Sequence, residues 1–96
     1  MKNMYVYIMS NKTNSVLYIG VTNNLIRRVW EHKKGVFKGF TKHYNVHKLV
    51  YFEIYEDELT AIEREKELKH FKRQWKEELI DKMNHLRRDL YEEICK

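Results

Sequence analysis

Ninety-six residues can build one modest hydrophobic core but not two. Nineteen Lys and Arg against 14 Asp and Glu leave a formal net charge of +5, which favours a polyanionic partner such as nucleic acid. The single cysteine, Cys95, excludes an intrachain disulfide, and no apolar run approaches a membrane span or a secretory leader, so a cytoplasmic protein away from membranes is expected.

The chain opens with two short β-branched and aromatic runs, Tyr5-Val6-Tyr7-Ile8 and Val16-Leu17-Tyr18-Ile19. The turn formers Ser10-Asn11-Lys12-Thr13-Asn14-Ser15 separate them, so the pair reads as an antiparallel hairpin. A turn centred between Lys12 and Thr13 sets Tyr7 directly opposite Tyr18. The period of two places Tyr5, Tyr7, Tyr18 and Gly20 on one face and Val6, Ile8, Leu17 and Ile19 on the other.

A helix follows, with Thr22 or Asn23 able to cap it. At about 100° per residue, Leu25, Val29 and Val36 share a stripe. His32 lies within that stripe and Arg28 at its edge, facing the interior or a cleft, whereas Arg27 faces water. Gly35 and Gly39 then bound a flexible loop in a stretch that carries Lys33, Lys34, Lys38 and Lys42. His47–Tyr55 reads as the third and most apolar strand.

From about Leu59 one long helical pattern begins, with Ala61, Leu68, Trp75 and Leu79 aligned and Ile62 and Ile80 at the border. Glu65 projects into this apolar stripe, and Glu63 and Glu67 project away from it. Leu86, Leu90 and Ile94 at i, i+4, i+8 outline a short amphipathic helix that closes the core. The order strand, strand, helix, strand, helix, helix predicts an α/β (α+β) sandwich: a three-stranded antiparallel sheet flanked by helices, in one domain over residues 1–96.

Four segments in order carry a resemblance. Tyr5-Val6-Tyr7, Tyr18-Ile19-Gly20, Leu25-x-x-Arg28-x-x-x-His32 and Ala61-x-x-x-Glu65 with Leu68-Lys69 are similar to the signatures of the GIY-YIG nuclease superfamily, in particular its small single-domain bacterial members. Asn84 fits a late asparagine of that family, and Tyr5 stands where the family's first glycine does. The resemblance implies the GIY-YIG endonuclease fold and a one-metal hydrolysis of DNA phosphodiesters with a tyrosine as base, in DNA repair or recombination.

The residues suit that chemistry. Phosphodiester hydrolysis needs an activated water, neutralised phosphate oxygens and a stabilised leaving oxygen. Arg28 offers a permanently charged fork for phosphate. Glu65 is a hard oxygen ligand for one Mg²⁺ or Mn²⁺. Tyr7 is assigned as base and Tyr18 as the group orienting water or phosphate, while His32 contacts phosphate or relays a proton. Gly20 gives backbone room at the strand-to-helix junction, and Lys33, Lys34, Lys38, Lys42, Lys69 and Asn84 are expected along the nucleic acid, DNA or RNA.

Structural readings compete. Strand tyrosines commonly just pack, and Glu65 could be a carboxylate paired with Lys69 or Arg28. His43, His47, His70 and His85 lack ligand spacing, and a zinc site is not expected with one cysteine. The same fold as a non-cleaving nucleic-acid-binding module is the alternative function, and a purely structural interaction domain the third. With no room for an appended recognition domain, specificity is expected from DNA structure, a protein partner or dimerisation.

Overall fold

The computed structural model describes residues 3–36 and 39–96. Three strands, β1 (Met4–Ser10), β2 (Leu17–Thr22) and β3 (Lys48–Tyr55), form an antiparallel sheet in the order β2-β1-β3. Helix α1 (Leu25–Lys33) and the short α2 (Phe40–His43) connect β2 to β3. After β3 come α3 (Glu58–His70), α4 (Arg73–Met83) and the short α5 (Tyr91–Ile94). This is the expected α+β architecture. Among the described residues no helix is long and apolar enough to cross a membrane.

The alternation of the hairpin builds a core on each side of the sheet. Val6, Ile8 and Ile19 pack with Val50, Ala61, Leu68 and Ile80, so α3 and α4 cover that face. Tyr7 and Met9 pack with Leu25, Val29, Val46, Leu49 and Leu90, so α1 and the C-terminal segment cover the other. The predicted faces are therefore observed, but the register differs. Tyr7 faces Gly20, and Tyr18 faces Met9. The loop closes on Asn11, whose side chain accepts from Val16 N at 3.0 Å, and Asn14 takes a left-handed φ of 63°. That wider loop slides the strands by two residues, which preserves the faces.

Several element ends also differ from expectation. Asn24, rather than Thr22 or Asn23, caps α1 by accepting from Arg27 N at 3.1 Å; Thr22 instead holds Asn24 N at 3.1 Å. Helix α1 stops at Lys33 and Gly35 turns left-handed, so Val36 leaves the stripe and is exposed. The long helical pattern is broken at Phe71 into α3 and α4, and Trp75 is exposed, its ring edge-on to Phe71 at 5.4 Å. Leu86 is exposed as well, because α5 begins only at Tyr91; Leu90 is buried in the core and Ile94 packs against it, partly buried. Lys38 lies outside the described residues.

Candidate active site

The strand period and the helical wheel converge on one cluster. Tyr7 and Tyr18 share a face of the hairpin, and His32 comes down from α1 between them. The ring centroids stand 6.4 Å apart for Tyr7 and Tyr18, 5.8 Å for Tyr7 and His32, and 5.3 Å for Tyr18 and His32. Tyr7 is fully buried and its hydroxyl lies 3.1 Å from His32 Nε2. Tyr18 is half-buried and forms the outer member of the cluster.

Gly20 has a role other than the expected one. A Cβ there would fall 2.4 Å from the Tyr7 hydroxyl oxygen and 2.5 Å from its Cζ. The phenol of Tyr7 lies across the bare backbone of Gly20, so the glycine makes room for a tyrosine rather than for the strand-to-helix turn. The signal was present in the sequence: a glycine on the same face of a hairpin as a large aromatic side chain.

Burial sets the protonation states. Desolvation raises the Tyr7 hydroxyl well above the usual tyrosine range, helped by Tyr18 and opposed by the neighbouring Arg28 guanidinium. His32 is lowered to about 4, again chiefly by desolvation and then by Arg28. At neutral pH Tyr7 therefore keeps its proton and His32 is a neutral imidazole. With Arg28, a donor only, beside the phenol oxygen, the consistent arrangement is Tyr7 O–H donating to Nε2, with the imidazole proton on Nδ1. Tyr7, expected as the base, is thus a poor proton acceptor in this setting.

Arg28 is partly exposed at the edge of the cluster, with Nε 3.3 Å from Glu31 Oε1, while the outward Arg27 lies 3.9 Å from the same carboxylate. Glu31 escaped the sequence reading, although its i+3 and i+4 spacing from two arginines was legible. Glu65 has only 15% of its side chain exposed, and its carboxylate lies 3.3 Å from Lys69 Nζ, the pairing anticipated as its structural reading. It sits on the helix layer opposite α1, yet its charge reaches the Tyr7 hydroxyl, weakly and in the opposite direction to that of Arg28.

The remaining candidates separate. Lys34 and Lys42 are exposed, and Lys69 is half-exposed beside Glu65. Lys33 turns inward instead, paired with Asp89 and donating to the His47 carbonyl at 2.9 Å. Asn84 is buried: its amide donates to the Val50 and Arg88 carbonyls at 3.2 and 2.7 Å and accepts from Arg88 N at 3.0 Å. It ties α4 to β3 and the C-terminal segment rather than lying along a ligand. Among the described residues no three His, Cys, Asp or Glu side chains gather as a metal cage. A lone, largely buried carboxylate such as Glu65 fits a hydrated Mg²⁺ or Mn²⁺, which retains most of its waters, and does not fit a dehydrated all-protein site.

Residues 3–78 match the family model of the GIY-YIG catalytic domain. The chain belongs to the GIY-YIG family. A UPF0213 protein of Clostridium perfringens is 42% identical over 76 residues, 79% of this chain and 81% of that protein. A UPF0213 protein of Staphylococcus haemolyticus is 40% identical over 81 residues, 84% of this chain and 98% of the relative. The solution NMR structure of a UPF0213 protein from Bacillus halodurans is 33% identical, covers 82% of this chain and 83% of its own, and superposes with a TM-score of 0.52. The chain is accordingly a small GIY-YIG member with the sheet and flanking helices of that neighbour.

Proposed function

We propose that this protein is a metal-dependent endonuclease that hydrolyses DNA phosphodiester bonds in the cytoplasm, in DNA repair or recombination. The observation that carries the reading is the Tyr7–His32–Tyr18 cluster with Arg28 at its edge, four side chains of the family signature assembled from a hairpin and a helix. Arg28 binds the non-bridging oxygens of the phosphate and stabilises the charge that grows on them. Tyr18, half-buried where Tyr7 is fully buried, takes the proton of the attacking water. Tyr7 holds His32 in one orientation, and His32, neutral at physiological pH, presents a fixed polar edge beside Tyr18. Glu65 would hold the metal ion, which supplies Lewis-acid stabilisation of the phosphate. Lys69 balances the Glu65 carboxylate.

Supercoiled plasmid and branched DNA, with an RNA arm, incubated with Mg²⁺, Mn²⁺ or chelator test this. Metal-dependent nicking lost in both Arg28→Ala and Glu65→Gln is expected. Tight binding without cleavage in any metal, unchanged by Glu65→Gln, would refute it in favour of a binding module.

A further inference from the structure

A cavity of about 360 Å³ lies away from the tyrosine cluster, lined by Lys12, Lys33, Asn45, His47, Lys48 and Asp89. Four separate parts of the chain meet there: the hairpin loop, the end of α1, the approach and start of β3, and the segment before α5. Three lysines face a single carboxylate. That carboxylate is already engaged, since Asp89 pairs with Lys33 and accepts from Leu49 N at 3.2 Å and Tyr91 N at 3.1 Å. Lys33 is equally committed, fixed in the wall by Asp89 and the His47 carbonyl. Lys12 and Lys48 are the other two cations of the lining. Burial holds the Lys48 ammonium below the usual lysine range, and the pull of Asp89 only partly offsets it.

A pocket lined by three lysines suits a tetrahedral oxyanion. We propose that this pocket binds a backbone phosphate of the nucleic acid, anchoring the strand at a point distinct from the one that Arg28 contacts. The anchoring role rests on the function proposed above; the pocket's chemistry does not. Lys33 directly follows His32, and Arg28 lies five residues earlier, about 7.5 Å along the axis of α1. Lys33, in the pocket wall, therefore stands about 140° around α1 from Arg28.

The test uses the full chain and a Lys12→Gln/Lys48→Gln double variant. In a first arm, inorganic phosphate is titrated while amide chemical shifts are followed. Shifts at Asn45, Lys48 and Leu49 that disappear in the double variant are expected; shifts absent or located elsewhere would overturn the pocket. In a second arm, a labelled DNA duplex is titrated in chelator across a salt series. Losing one phosphate contact lowers the slope of log K against log salt by about 0.9. An unchanged slope, with the phosphate shifts present, would overturn the strand anchor. Binding of phosphate in the pocket with no DNA binding by either protein would uphold the pocket and sink the nuclease reading instead.

Discussion

Gly20→Ala should be far more damaging than a one-methyl change on a strand normally is. The new Cβ would stand 2.4, 2.5 and 2.9 Å from Oη, Cζ and Cε1 of Tyr7. Carbon pairs settle at about 3.5–4.0 Å, so the ring must retreat by about 1 Å. It has nowhere to go cheaply, because Tyr7 is fully buried and its hydroxyl is bonded to His32 at 3.1 Å. Overpacking of this kind costs about 1–3 kcal/mol, and the displaced buried hydrogen bond adds about 1 kcal/mol. For a domain of this size even 2 kcal/mol lowers the melting temperature by about 8–16 °C. Thermal and urea unfolding of Gly20→Ala, Tyr7→Leu and the double variant measure both the cost and its origin. The cost of the alanine should largely vanish once the ring is gone, a coupling of more than 1 kcal/mol. A loss under about 0.5 kcal/mol, or additivity with Tyr7→Leu, would refute the account of why a glycine stands here.

Other expectations follow from the same geometry. His32 resists protonation down to about 4 against an ordinary 6.5, so the unfolded chain takes up its proton first as pH falls. Its contribution, about 3 kcal/mol at about 1.4 kcal/mol per pH unit, is complete above 6.5 and lost on descent to 4. Urea unfolding of wild type and His32→Gln should diverge in pH slope across that window; parallel slopes would refute it. Tyr18→Phe should lower the nicking rate by about 100-fold or more with little change in stability, whereas Tyr7→Phe should cost about 1 kcal/mol in unfolding experiments. Asn84→Ala strands the Val50 and Arg88 carbonyls and Arg88 N, and denaturation should show a loss of about 2–3 kcal/mol with DNA affinity retained.

The sequence revealed faces better than distances along the chain. Alternation and an assumed turn put Tyr7 and Tyr18 on one side of the hairpin, and the assignment survives because the observed register differs by two residues, which leaves side-chain direction unchanged. Which residue Tyr7 opposes depended on the loop, and Asn11 closing on Val16 with Asn14 left-handed has no unique sequence pattern. The wheel separated Arg28 and His32 from Arg27 correctly, but run past Lys33 it enlisted Val36 in a helix that had already ended. The break at Phe71 carries no glycine or proline, so the apolar period read straight through it. Asn84 was expected along the nucleic acid because it fits the family's late asparagine, and its burial is not visible in a sequence. Asp89 went unnoticed because a partner 56 residues from Lys33 is chosen by the finished fold.

The clasp between β3 and α3 has a consequence for aim. Glu53 accepts from Arg64 through both Nε and Nη2 at 2.9 Å and is flanked by the hydroxyls of Tyr51 and Tyr55. Burial alone would raise this carboxylate, yet the bonds from Arg64 and the two tyrosines hold it below its usual range. Arg64 immediately precedes Glu65, and successive helical residues diverge by about 100°. Fixing one fixes the bearing of the other. A fastening that faces away from the tyrosines thus sets the roll of α3, and with it the direction in which Glu65, the proposed metal ligand, is presented. Loosening it would misdirect Glu65 without touching the cleft, in the way that a slack mounting spoils the sighting of an instrument whose optics are sound.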